Sequence, residues 1–157
     1  MKKVLVTVGT TPFNSLFEAL ENCDIPEGLE LECQIAEGTY VPRKFSYFRF
    51  SDDFAQKLMA ADAVISHAGA GTVFSLLELA KPAIVVANLE RKDNHQIELA
   101  RYVAQSELAL GVLQIDALQT AINQLPSFTP ASYHKELFFF QEQLNSNILN
   151  ACFPSLQ

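Results

Sequence analysis

The residues in this sequence that are best suited to chemistry lie in and around a glycine-rich turn, HAGAGT, at positions 67–72. An apolar run, Ala63 to Ile65, precedes the turn and predicts a strand. Apolar residues at helical spacing follow it, namely Val73, Leu76, Leu77 and Ala80. Such a turn exposes backbone N–H groups beside the positive end of a helix dipole, which is a binding site for phosphate or another anion. For an isolated GAG, a turn that is merely tight is an equally good interpretation.

A second polar cluster follows the next predicted strand. That strand, Ala83 to Ala87, leads into the run ERKDNHQ at positions 90–96, which opens another helix. In a parallel α/β sheet, ligands bind where loops leave the carboxyl ends of strands. Both polar clusters therefore lie at the ligand-binding edge of the sheet, one βα unit apart.

The first predicted strand, Lys3 to Val8, ends in a third candidate turn that contains Gly9, Thr10 and Thr11. Its glycine and two hydroxyls predict a second phosphate or sugar contact. Pro12 suits the first turn of the helix that follows. The turn lacks the GxGxxG spacing of dinucleotide-binding folds, which argues against NAD.

Strands and helices alternate along the whole chain, which predicts an α/β fold. The expected architecture is a single Rossmann-like domain over residues 1–157, with a mainly parallel sheet and helices on both faces. Ser51 or Asp52 is the predicted cap of a helix at 54–61, and Asp116 that of a helix at 117–124. Predicted strands are 3–8, 30–36, 47–50, 63–67, 83–87 and 108–114, and a last helix is predicted at 133–153.

Composition narrows the class of protein. With 157 residues, 49% of them apolar, the chain has enough material for one buried core. The net charge of −7 argues against a general nucleic-acid binder, which needs a basic surface. Cys23, Cys33 and Cys152 lack CxxC spacing, so neither a zinc site nor a disulfide framework is expected. No signal or membrane segment is evident, and we expect a soluble intracellular protein.

Two segments are rich in aromatic residues. At 40–50 they are mixed with basic residues, and core packing is favoured over stacking on a base or contact with a partner. In the last predicted helix, three consecutive phenylalanines at 138–140 would point to different sides. The helical part at 116–153 is therefore a candidate partner interface.

Three blocks of sequence, in this order and spacing, resemble the donor-binding half of GT-B glycosyltransferases of family 28. The blocks are VLVTVGTTPF, ADAVISHAGAGTVFSLLELAKPAIVV and KDNHQIELA, within residues 3–105. The resemblance is to small single-domain members in particular, such as the soluble subunit of the eukaryotic dolichol-linked GlcNAc transferase and bacterial exopolysaccharide subunits.

The resemblance implies a role for each matching position. The diphosphate of a UDP-sugar would lie on the GAG turn, and the sugar hydroxyls would meet the DNHQ segment. The first turn would approach the donor from the other side, and the histidine before the GAG lies on the same rim. The implied donor-binding residues are Gly9, Thr10, Thr11, His67, Gly69, Ala70, Gly71, Thr72, Asp93, Asn94, His95 and Gln96.

One position departs from the family pattern. Family members usually carry a glutamate six residues after the first glycine of the GAG turn, where it binds the ribose. This chain has Ser75 there and Glu78 one helical turn later, so either residue is a candidate for ribose contact. No metal or other cofactor is expected: Asp52 and Asp53 are adjacent in a predicted helix cap rather than a DxD pair at a strand end.

The implied function is that of a UDP-sugar-binding catalytic subunit of an inverting hexosyltransferase. It would act on a lipid-linked acceptor with a membrane-anchored partner, at the cytoplasmic face of the membrane. His67 and His95 are the candidate catalytic bases, although contact with the donor is the favoured role for both. The alternatives are a non-catalytic nucleotide-sugar-binding subunit and a stand-alone enzyme such as an epimerase. The sugar, the acceptor and self-association stay open.

Overall fold

A six-stranded, entirely parallel sheet forms the centre of the protein in the computed structural model, which describes residues 1–90 and 94–134. The strand order is β3-β2-β1-β4-β5-β6, and every neighbouring pair is parallel. The predicted parallel sheet is confirmed. The strands are β1 (Lys2–Thr7), β2 (Leu29–Gln34), β3 (Ser46–Phe48), β4 (Ala63–His67), β5 (Ala83–Val86) and β6 (Leu110–Val112).

Helices cover both faces of the sheet, as the alternating pattern predicts. One face packs against the first and last helices, and the other against the three helices between them. Short 3-10 turns at 115–117 and 125–127 flank the last helix. The helices are α1 (Asn14–Asn22), α2 (Phe54–Ala60), α3 (Ala70–Glu78), α4 (His95–Gln105) and α5 (Leu118–Gln124).

Position in the sheet explains the composition of each strand. Every residue of the central strands β4 and β5 is buried, because helices lie on both sides of them. In β2 the residues alternate, so that Leu31 and Cys33 enter the core while Glu32 lies on the opposite face and pairs with Lys57 of α2 at 2.8 Å. Continuous apolar character thus marks the middle of the sheet, and alternation marks its flank.

The strand order places a topological switch point between β1 and β4. From β1 the chain builds outward to β2 and β3, and from β4 it builds the other way to β5 and β6. Thr7 and Ser66 are partners in the register, so the turns that follow these two strands lie side by side. In open α/β sheets the ligand crevice lies at this point.

The residues predicted to start or cap the helices differ from those in the structure, although α2 begins at the predicted residue. α1 begins at Asn14, two residues after Pro12, so Pro12 belongs to the preceding turn. α2 begins at Phe54 without a side-chain cap, because the Ser51 hydroxyl instead accepts a hydrogen bond from the Asp53 N–H at 3.2 Å. Asp116 lies within a 3-10 turn ahead of α5 rather than at its cap.

The aromatic segment at 40–50 is divided between core and surface. Tyr40, Phe45 and Phe48 pack against the core, as predicted, but Tyr47 and Phe50 are 48% and 53% exposed. Met59 of α2 is 58% exposed.

The C-terminal part differs from the expected long helix. Residues 128–134 have no regular secondary structure, so the predicted helix is wrong at Tyr133 and His134, and its remainder lies outside the described residues. The phenylalanine run at 138–140 and Cys152 also lie outside them. Within residues 1–90 and 94–134, no helix combines the length and apolar character needed to cross a bilayer.

Alkaline titration of Cys33 tests the packing of β2. Burial, with smaller effects from the negative charges of Glu21 and Glu32, raises the pKa of this thiol from 9.0 to about 12. Because the fold favours the neutral thiol, its stabilising contribution is complete below pH 9 and is lost as the pH rises from 9 towards 12. We expect the free energy of unfolding to fall with pH more steeply than in Cys33→Ala, by up to about 1.4 kcal/mol per pH unit. Denaturant unfolding at several pH values measures this, and parallel slopes would contradict it.

Candidate active site

An open cleft of about 650 Å³ lies at the carboxyl edge of the sheet, between the starts of α3 and α4. It brings together residues from three of the predicted turns, which are far apart in sequence. Predicted donor-binding residues that line it are Thr11, His67, Gly69, Ala70, His95 and Gln96. The side chains of Phe74, Glu98, Leu99 and Tyr102 complete the wall.

The start of α3 presents unpaired backbone N–H groups to this edge. Its N-cap residue is Gly69, which has no side chain to cap the helix. The first hydrogen bond of the helix runs from the Val73 N–H to the Gly69 carbonyl at 3.0 Å. The N–H groups of Ala70, Gly71 and Thr72 therefore precede the intrahelical bonds and lie at the positive end of the helix dipole. This geometry is suited to an anion such as a diphosphate.

The His67 imidazole lies between the two glycine turns of the switch point. A Cβ atom placed on Gly69 would lie 2.3 Å from His67 Nε2, and one placed on Gly9 would lie 3.1 Å from His67 Cε1. Gly9 also has a φ of 61°, a conformation that other residues rarely adopt. Glycine at both positions thus lets the ring sit against both turns, where it is only 8% exposed.

A buried polar network fixes the turn after β1. The Thr7 hydroxyl donates to Gln34 Oε1 at 2.5 Å and accepts from the Gly9 N–H at 3.2 Å. The amide nitrogen of Gln34 in turn donates to the carbonyls of Gly9 at 2.6 Å and Arg49 at 3.2 Å. Both the N–H and the carbonyl of Gly9 are therefore hydrogen-bonded to side chains. Thr11 lines the cleft beyond it, and Thr10 is exposed.

The start of α1 differs from that of α3, because a carboxylate already occupies it. Glu90 Oε1 accepts hydrogen bonds from the Ser15 N–H at 2.9 Å and from the Ser15 hydroxyl at 2.7 Å. Among the described residues, nothing occupies the N–H groups at the start of α3 in this way, so of the two helix starts beside the switch point α3 is the better suited to a ligand.

Asn88, which follows β5, bonds to three other parts of the site. Its side chain donates to the Pro12 carbonyl at 3.3 Å and accepts from the Glu90 N–H at 3.0 Å. Its backbone N–H donates to Gln96 Oε1 at 3.1 Å. Gln96 thus uses its carbonyl oxygen within the protein while lining the cleft.

The other members of the DNHQ segment are more open. Asn94 is exposed and is the N-cap residue of α4. The His95 side chain is 91% exposed, and its Nδ1 lies 3.8 Å from Glu98 Oε2. Asp93 lies outside the described residues. Asn94 and His95 can reach a ligand without rearrangement of the core.

The model of the glycosyltransferase family 28 C-terminal domain matches residues 3–146. The chain belongs to this family. The fold agrees with solved glycosyltransferases of the GT-B type: the NMR structure of ALG13 matches with a TM-score of 0.60 at 23% identity, over 84% of this chain and 90% of that one. MurG of Acinetobacter baumannii matches with a TM-score of 0.58 at 23% identity, over 80% of this chain and 40% of that one.

Curated relatives share the same region. The human UDP-N-acetylglucosamine transferase subunit ALG13 is 41% identical over 114 residues, which is 64% of this chain but only 10% of the human protein. ALG13 of Debaryomyces hansenii is 33% identical over 96 residues, 53% of this chain and 44% of that protein. The chain thus spans about a tenth of the length of the human relative. The predicted family 28 and GT-B assignments are confirmed.

Ser75, which stands where members of family 28 usually carry a glutamate, is hydrogen-bonded within α3. The Ser75 hydroxyl donates to the Gly71 carbonyl at 2.9 Å, one turn back in α3. This bond engages the serine with its own helix. Glu78 is exposed at the last residue of α3. Ribose binding by either residue stays a prediction.

Sequence reasoning missed two sets of residues at the site. Phe74, Leu99 and Tyr102 form an apolar side of the cleft, and the Phe74 ring lies 6.3 Å from that of Tyr133. The helical periodicity of α3 and α4 could have identified these cleft residues, because each helix must turn one side towards the edge of the sheet. Asn88 was also missed, although a buried polar residue at the end of an apolar strand is an informative signal.

Alanine substitution of the two glycines of the GAG turn should separate the glycine that packing requires from the one that it does not. In Gly69→Ala the new Cβ meets the His67 ring, so we expect the free energy of unfolding to fall by about 1–3 kcal/mol. In Gly71→Ala the Cβ meets open space, and stability should stay constant or rise by up to ~1 kcal/mol. Urea unfolding of both variants measures the difference.

The pair His67→Ala and His67→Ala/Gly69→Ala is the control for this prediction. With the ring removed, alanine at position 69 should cost much less than in the wild-type background. An equal cost in both backgrounds would show that the His67 contact is not the cause.

Proposed function

We propose that this chain is the UDP-sugar-binding catalytic subunit of an inverting glycosyltransferase. The observation that carries the proposal is the uncapped start of α3 at the switch point, in a family 28 domain. The diphosphate is proposed to lie on the N–H groups of Ala70, Gly71 and Thr72. The sugar extends towards Asn94, His95 and Gln96, and the turn at Gly9 to Thr11 closes the other side.

In this proposal the backbone carries the electrostatic part of the chemistry. As the bond between the anomeric carbon and UDP breaks, negative charge develops on the β-phosphate. N–H groups that are already oriented stabilise that charge without reorganisation, at roughly 3–4 kcal/mol for each well-placed donor. No metal is invoked in this scheme.

The proposed sugar, acceptor and partner follow from the names of the relatives. Several are named as UDP-N-acetylglucosamine transferase subunits, which supports N-acetylglucosamine as the first sugar to test and a multi-subunit enzyme. A transferase of Sorangium cellulosum, 37% identical over 70 residues (45% of this chain and 17% of that protein), is named for a pyrophosphoryl-undecaprenol substrate. We propose a lipid-linked acceptor, held by a membrane-anchored partner that attaches this chain to the cytoplasmic face.

The partner is also the proposed source of the catalytic base. His67 is 8% exposed and packed between two glycines, which suits a fixed donor contact better than proton transfer to an incoming acceptor. The exposed His95 side chain is free to contact the sugar but is not oriented by a buried partner group in the described part of the chain. Both histidines are therefore assigned to the donor.

Titration with UDP and UDP-N-acetylglucosamine, alone and with the co-expressed partner, tests the proposal. We expect saturable binding that Gly71→Trp abolishes, because an indole at this exposed position would cover the N–H groups. Ala55→Trp is the matched control, since Ala55 is an exposed helical residue of α2 away from the cleft. This variant should bind the donor like the wild type.

Transfer assays separate the proposal from its alternatives. We expect sugar transfer to a lipid-linked acceptor only when the partner is present, and its loss in Gly71→Trp. Binding without transfer by the complex would favour a regulatory subunit. Conversion of the UDP-sugar by the isolated chain would favour a stand-alone enzyme.

A further inference from the structure

We propose that Glu90 is a positioning residue that makes the donor site selective for UDP-sugars over free UDP. It acts by holding Glu90, and through it Asn88, against the start of α1. The inference rests on the proposed function, because it requires the sugar to lie against Asn94, His95 and Gln96. We refer to the contact between Glu90 and Ser15 as the latch.

The latch is a two-donor contact between segments 75 residues apart. One carboxylate oxygen accepts from both the Ser15 N–H and its hydroxyl, at 2.9 and 2.7 Å. Ser15 is the second residue of the nine-residue helix α1, so the N–H is one that the helix itself does not bond. Charge-assisted bonds at a helix start are stronger than neutral ones. The carboxylate is therefore held in a defined position even though Glu90 is at the surface.

Asn88 transmits that position to α4. Its side chain accepts from the Glu90 N–H and donates to the Pro12 carbonyl, which ties the same segment to the turn before α1. Its N–H holds Gln96 Oε1, and Gln96 is the second residue of α4. The latch and Asn88 thus connect the α1 start with the residues proposed to read the sugar.

The proposed diphosphate site, formed by the N–H groups of Ala70, Gly71 and Thr72, does not depend on this connection. Its N–H groups belong to α3, whose start is shaped by Gly69 and by the buried His67 ring. Loss of the latch should therefore loosen the sugar end of the donor site and leave the diphosphate end intact. The expected signature is a change in the ratio of two affinities rather than a general loss of binding.

The test is calorimetric titration of the full chain and its variants with UDP and with UDP-N-acetylglucosamine. In Glu90→Ala we expect the Kd for UDP-N-acetylglucosamine to rise about tenfold, and that for UDP to change less than twofold. Glu90→Gln, which keeps a neutral acceptor, should give an intermediate effect. Ser15→Ala added to Glu90→Ala should weaken binding no further, because both act through one contact.

Glu18→Ala is the control for removal of a carboxylate from the same region, since Glu18 is an exposed residue of α1 outside the latch. It should leave both affinities unchanged. Hydrogen exchange of the Ser15 amide should quicken in Glu90→Ala with no ligand present, which checks the latch independently of donor binding.

The outcomes distinguish the two proposals. Equal weakening towards both ligands in Glu90→Ala, or no weakening at all, would overturn the positioning role while leaving UDP-sugar binding intact. Wild-type chain that binds neither ligand, alone or with its partner, would overturn the proposed function and the inference that rests on it.

Discussion

The contact between the His67 ring and the backbone at Gly69 is the constraint on which the geometry of the site depends. Any side chain at position 69 would place its Cβ 2.3 Å from His67 Nε2, well inside van der Waals contact, so the ring would have to move. The same glycine is the N-cap residue of α3. A serine or aspartate there would accept a hydrogen bond from one of the free N–H groups with its side-chain oxygen. One residue therefore allows the buried histidine to pack and leaves the helix start open to a ligand.

The two helix starts beside the switch point differ in whether their N–H groups are already hydrogen-bonded to a carboxylate. Both α1 and α3 follow a glycine turn, and from the sequence both are candidate phosphate sites. In the structure the Glu90 carboxylate binds the start of α1, whereas no side chain of residues 1–90 and 94–134 caps α3. The difference is made by a residue from a third segment, so no local pattern around α1 could have revealed it.

The same reasoning explains which features could be predicted from the sequence. The apolar runs and the glycine turns are local signals in the sequence. They were enough to predict the order of strands and helices and the GAG turn, and the alternation of strands with helices predicted the parallel sheet. The cap assignment at Ser51 failed because its hydroxyl bonds within its own turn, and the one at Asp116 failed because a 3-10 turn precedes α5. The roles of Asn88 and Glu90 depend on contacts across the fold, which a sequence pattern does not contain.

An acidic chain with a net charge of −7 can still suit a doubly charged donor, because the relevant forces act at short range. Surface charges more than about 8 Å apart are largely screened at physiological salt, while N–H groups in contact with a phosphate are not. Within the cleft, the carboxylate of Glu98 lies 3.8 Å from the His95 imidazole. The carboxylate of Glu90 accepts a hydrogen bond from Ser15 of α1. The backbone of α3 is thus suited to the anionic part of a nucleotide sugar, and the amide and imidazole groups at the start of α4 to its neutral hydroxyls.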